Sequence, residues 1–225
     1  MLPDSESDYR RLLARSIGAI AAGSLAVAVC YQWVDRPVAL AVERYGTNQI
    51  AIFKLLTEPP PVIERFCPLV LAMLVVLRAW RPFARWELTL LVACLCLIVA
   101  DEFRESIGDL CGRYWPETWF DHNPSFIGTG AYGFHPWQAG DDVGSFPSGH
   151  AARVVGFAAV WWLAVPRSRA ICLVVCPPLL VALVLMNYHF VGDVVGGSVV
   201  GAIVAAWGAR LAKLTGEATP PGLIP

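Results

Sequence analysis

Two short strings in the chain carry residue types suited to nucleophilic and acid–base chemistry. Phe146-Pro147-Ser148-Gly149-His150 is a tight turn ending in a histidine at the mouth of an apolar stretch. Asn187-Tyr188-His189-Phe190-Val191-Gly192-Asp193 supplies a second histidine with a carboxylate four positions on. Ser148 and Gly149 are expected to open a helix, whose first backbone N–H groups are unpaired and carry partial positive charge. Such an end holds an oxyanion, and glycine lets the anion approach closely. His150, in the first turn, is placed to donate a proton to that anion. The competing reading makes Ser148 an N-cap only and His150 a polar interfacial residue. On a continuous helix His189 and Asp193 share a face. A carboxylate on one imidazole nitrogen fixes the tautomer and leaves the other nitrogen free as nucleophile or base. Here the competing reading is a pair that only closes a helix bundle.

Three arginines are candidate phosphate ligands. Arg113 lies in Gly112-Arg113-Tyr114-Trp115-Pro116-Glu117-Thr118-Trp119, a basic-aromatic cluster, and its planar fork suits phosphate. Arg153 comes three residues after His150, one turn deeper on the same face, with an ion pair to Asp193 or Asp101 as the alternative. Arg104, near the end of an apolar run, is the third. Asp141, Asp142, His122 and His135 have no regular ligand spacing, so neither a metal nor another cofactor is expected. The seven cysteines are scattered without a CxxC pair, which suggests neither a zinc knuckle nor a disulfide framework.

The elements that must position these residues are apolar. Of 225 residues 56% are hydrophobic and the mean hydropathy is +0.56, which points to a membrane bundle. The net charge of -1 gives no signal for nucleic acid. Six spans are expected, over 16–34, 61–80, 86–100, 148–165, 170–188 and 193–209, with Pro177-Pro178 kinking the fifth. The segment 35–58 between the first two is mixed and weakly amphipathic. In domain terms this gives a cytoplasmic N-terminal segment over 1–15, one transmembrane domain over 16–213, and a disordered cytoplasmic tail over 214–225. A long loop rich in Gly, Pro and aromatics joins spans three and four.

Six spans put both termini on one side with the turns at 78–85 and 166–169. That side collects Arg10, Arg11, Arg15, Arg78, Arg81, Arg85, Arg167, Arg169, Arg210 and Lys213, and is therefore cytoplasmic. Both histidine strings and the long loop then fall on the outer side, the periplasm if the protein sits in a bacterial inner membrane. Gly197, Gly201 and Ala205 form a small-residue stripe for close helix packing.

With Pro147-Ser148-Gly149-His150 followed by His189-x3-Asp193, the chain resembles the type 2 phosphatidic-acid phosphatase (PAP2) superfamily. The resemblance implies an all-α, six-span bundle with a long extracytoplasmic loop. It further implies that His189 attacks phosphorus to form a phosphohistidine, that Asp193 orients it, and that His150 protonates the leaving oxygen. Ser148 and Gly149 would hold equatorial oxygens with help from Arg113, and no metal would be required. The departures fall on cations. The family's first motif has a lysine and an arginine where this chain has Gly108 and Trp115, and the third has an arginine where Leu183 stands. Arg104, Arg113 and Arg153 are the candidate replacements.

The expectation is an integral membrane phosphatase acting on a lipid phosphate or diphosphate of isoprenoid, glycerolipid or lipid A type. Its partners are that lipid and the bilayer. A catalytically silent member that binds a phospholipid headgroup or a partner protein is the alternative. A transporter finds less support, because polar residues cluster at one end rather than at midplane.

Overall fold

The computed structural model describes residues 4–119, 122–138 and 140–214. Of the tail expected over 214–225, Leu214 is instead buried in the core with its amide donating to Ala209 O, and residues 215–225 lie outside the described residues.

Nine α-helices carry the described chain: α1 (Asp4–Val29), α2 (Asp35–Tyr45), α3 (Ala51–Thr57), α4 (Pro59–Trp80), α5 (Arg85–Cys111), α6 (Phe126–Thr129), α7 (Gly149–Ala164), α8 (Arg169–Leu185) and α9 (Val191–Leu211). No strand occurs among the described residues, and only isolated bridges tie the loop between α5 and α7. Among the described residues three helical stretches are long and apolar enough to cross a membrane: Glu6–Tyr45, Pro166–Leu185 and Val191–Leu211. The expected spans over 61–80, 86–100 and 148–165 coincide with helices α4, α5 and α7. Large apolar side chains such as Leu25, Val75 and Val174 project outward from α1, α4 and α8, as lipid-facing positions do.

Several boundaries differ from those expected. A π-helical turn, Cys30–Val34, joins α1 to α2, so the helix runs on where the sequence looks merely mixed. In that turn the amide of Asp35 donates to Cys30 O, and the Asp35 side chain is buried although its segment is weakly amphipathic. Pro177 and Pro178, where a kink is expected, lie inside the continuous helix α8. Helix α5, over the expected third span, continues to Cys111 and carries Asp101, Glu102, Arg104 and Glu105 within it.

Helices α5, α7 and α9 form the centre, and small residues let them approach. A Cβ on Gly197 would come 2.2 Å from Ser148 O, and one on Gly201 would come 2.5 Å from Ala152 O. The stripe on α9 therefore seats directly against the α7 backbone. Val92, Cys96, Val160, Ala205 and Ala209 fill the interface toward the end opposite the histidines. At that end Trp207 Nε1 donates to Ser16 Oγ, Arg210 pairs with Asp8 at 2.8 Å, and Arg85 donates to Leu214 O. Both ends of the described chain thus gather away from the histidines.

Candidate active site

Ser148 caps α7. Its Oγ accepts from the Ala151 amide at 3.3 Å, and its own amide donates to Asp193 O at 3.0 Å, which pins the starts of α7 and α9 together. Gly149 and His150 follow in the first turn. His189 precedes the N-cap Phe190 of α9 and so stands outside that helix. This common anchoring sets the two imidazoles in a T-shaped arrangement with centroids 6.1 Å apart.

Both rings line a cavity of about 350 Å³. Its wall also includes Gly149, Arg104 and Arg153, with Trp115 and Trp119 from the loop, Tyr188, and Glu58 between α3 and α4. Arg104 lies along Gly149, where a Cβ would meet its Nε at 2.9 Å, so glycine is what admits this arginine. Arg104 Nε donates to Asp101 Oδ1 and Arg153 Nη2 to Asp101 Oδ2, each at 2.8 Å. One carboxylate therefore orients both cations, while Glu64 lies 3.1 Å from Arg153 Nε and Glu105 2.9 Å from Arg104 Nη2. Arg153 thus lines the cavity and at the same time makes the ion pair to Asp101 weighed as its alternative.

His189 Nδ1 is 3.0 Å from the Ser145 carbonyl oxygen and 3.9 Å from Asp193 Oδ2. A carbonyl only accepts, so Nδ1 carries the hydrogen and Nε2 carries the lone pair. The expected direct contact from Asp193 to His189 thus gives way to one from Ser145. Burial, followed by the neighbouring His150, holds the His189 imidazole well below its ordinary pKa, so it is neutral at neutral pH. A neutral imidazole with a free Nε2 is a competent nucleophile.

Asp193 stands behind the wall, fully buried. Its Oδ2 accepts from Ser145 Oγ at 2.7 Å and from the Phe190 amide at 2.9 Å, and its Oδ1 accepts from Arg113. Arg113 does not reach the cavity. The phosphate contact expected of it is corrected: its guanidinium has no exposed surface and bridges Asp193 to Asp35, 2.6 Å from the latter. Phe134 and Phe190 lie 4.8 and 4.4 Å from the guanidinium carbon and close the compartment. Burial alone would pull the Arg113 pKa down, but Asp193 and Asp35 outweigh it and hold it above its ordinary value. Asp35 Oδ1 also accepts from the Gly192 amide at 2.9 Å, tying the first helix to the start of α9. Ser148 is likewise corrected as a direct ligand, since its side chain is fully buried and engaged as the cap.

Three residues escape sequence reasoning: Asp35, Asp101 as the orienter of two arginines, and Ser145. Asp35 has one legible signal, a carboxylate directly after nineteen uncharged residues. Ser145 acts chiefly through its carbonyl, which leaves no sequence trace. Among the described residues no group of His, Cys, Asp and Glu side chains is arranged to hold a metal ion.

A family model for the PAP2 superfamily matches residues 87–215. No curated protein matches. Among solved structures, the chain is similar to one described as the first transmembrane PAP2 type phosphatidylglycerolphosphate phosphatase from Bacillus subtilis. The identity is 16%, the TM-score is 0.53, and the match covers 90% of this chain and 98% of the other. At that identity the likeness concerns the fold.

Proposed function

The chain belongs to the PAP2 superfamily, and from that premise we propose that it is a six-span membrane phosphatase hydrolysing a lipid phosphate or diphosphate at the outer face of the bilayer. The observation that carries this reading is the pair of imidazoles 6.1 Å apart on one cavity that also holds Arg104 and Arg153.

His189 Nε2 attacks phosphorus in line, the bond to the leaving oxygen breaks, and His150 donates a proton to that oxygen. A water then attacks the phosphohistidine and gives a proton to His150, which restores the starting state. The imidazole becomes positively charged as the N–P bond forms. Two carboxylates and one guanidinium sit behind it, so the Asp35–Arg113–Asp193 group carries a net charge of one negative unit facing that developing charge. Arg104 and Arg153 take the place of the family's missing cations on the phosphoryl oxygens, and the Gly149 amide adds a donor at the helix start. No step calls for a metal.

Purified full-length protein in detergent micelles, with chelator present, releases phosphate from long-chain lipid phosphates, and vanadate inhibits. His189→Ala abolishes release, and Arg153→Ala raises KM. Turnover that survives His189→Ala refutes the nucleophile. A second reading, headgroup binding without turnover, draws on Arg104 and Arg153 being already paired with Asp101. Lipid binding with no phosphate release, unchanged by His189→Asn, selects it.

A further inference from the structure

The cavity wall beside the histidines is unusual for a site that takes a bare phosphate. Its two cations are already matched. Arg104 and Arg153 share Asp101, whose side chain is 11% exposed, and Arg153 also has Glu64. The two arginines of the wall thus meet two carboxylates behind it, before the exposed Glu105 is counted. Glu58 then adds a carboxylate to the cavity lining itself. A phosphate dianion entering alone meets two arginines that are already paired, which leaves the His150 proton as the one positive charge without a carboxylate partner and costs affinity in a partly enclosed site.

Three aromatic side chains, Trp115, Trp119 and Tyr188, make up much of the remaining wall. Trp115 packs against His189 with centroids 5.3 Å apart, and it occupies the motif position where the family likeness leads one to expect an arginine. Trp119 meets Tyr188 edge to face at 4.6 Å, and its Nε1 donates to Asn187 O at 3.2 Å. That hydrogen bond holds the indole in place. Indole and phenol faces beside a carboxylate are the chemistry that receives an ammonium group, through ring quadrupole and charge together. Glu58 lines the same cavity as Trp115, Trp119 and Tyr188.

We propose that this site takes a zwitterionic phosphate ester, with the phosphoryl group between His150, His189 and the two arginines and an ammonium group on Trp115, Trp119, Tyr188 and Glu58. The substrate's own positive charge supplies what the wall lacks. The inference deepens the phosphatase reading and rests on it for the position of phosphorus, whose chemistry is unchanged. The ammonium belongs either to the second ester arm, as in a choline or ethanolamine phosphodiester, or to the lipid alcohol, as in a 2-amino-alkyl phosphate. Both present the same cation beside the same phosphorus.

Binding and turnover are measured separately on the full chain in micelles. Phosphocholine and phosphoethanolamine bind more tightly than glycerol phosphate in calorimetric titrations, by about tenfold for one desolvated cation–π site. Trp119→Leu and Glu58→Gln each collapse that ratio, and Trp119→Phe restores part of it. Equal binding of glycerol phosphate and both amine phosphates, or a ratio that both variants leave intact, overturns the inference whether or not the protein turns over. For turnover, a long-chain 2-amino-alkyl phosphate is compared with its deaminated counterpart, and a choline phosphodiester with phosphatidate. A higher kcat/KM for the amine member of the first pair places the ammonium on the lipid alcohol; the same result in the second places it on the ester arm. Equal rates within both pairs overturn the substrate assignment and leave the phosphatase reading intact. Amine-selective binding with no hydrolysis of any ester refutes the phosphatase reading instead.

Discussion

The guanidinium of Arg113 lies 2.6 Å from the carboxylate of Asp35, and neither side chain exposes any surface. Asp35 closes the π turn of the first helix, while Arg113 follows α5 by two residues, so the pair joins chain segments 78 residues apart. Arg113 also donates to Asp193, which leaves the histidine-bearing side of the bundle and its first helix mechanically and electrostatically linked.

Asp35→Asn keeps the shape of this link but removes one negative charge behind His189. The expected result is a fall in kcat of about 10-fold, the scale of a barrier raised by about 1.4 kcal/mol when one compensating charge is lost, with KM little changed. Arg113→Met strands two carboxylates and is expected to cost about 3–5 kcal/mol of stability. Steady-state kinetics and thermal unfolding in detergent separate the two effects. A change in KM alone on Asp35→Asn contradicts the positioning role.

His189 carries its own pH signature. Its folded pKa is held below the ordinary histidine value by burial and by His150. As pH falls below about 6.5, the unfolded chain binds a proton that the folded site refuses, so the folded state loses stability until the lowered folded value is reached. Above that window both states are neutral and the contribution is flat. The Tm of the wild type therefore drops more between pH 7.5 and pH 5.5 than that of His189→Asn. Parallel curves for the two proteins exclude the buried neutral imidazole.

Gly197 is a position where space decides. Gly197→Ala places a methyl 2.2 Å from the Ser148 carbonyl, a backbone atom that cannot rotate aside. The expected cost is about 1–3 kcal/mol, and activity is expected to fall with it because Ser148 opens the turn that carries His150. Gly18, which has nothing within 4 Å of an added Cβ, serves as the control, and Gly18→Ala leaves both stability and activity near wild type. A Tm for Gly197→Ala equal to that of Gly18→Ala contradicts the close seating of α9 on α7.

The sequence by itself determined the helical, membrane-compatible character, because apolar runs and their lengths are local properties. It also determined the two histidine strings and the close-packing stripe, since a cap, a turn and a four-residue period need no distant partner. Long-range pairing was decided only by the tertiary structure. Arg113 reads as a loop cation open to phosphate, yet it is drawn 80 residues away onto Asp193 and sealed by aromatic rings. Asp35 sits in a stretch with no strong periodicity, and only the π turn aims it inward. Arg104 and Arg153 come to one cavity because Asp101 holds both, and Ser145 orients His189 through a carbonyl that every residue type possesses. A buried charge is stable only with its partners, and nothing local specifies which partners the packed helices will deliver.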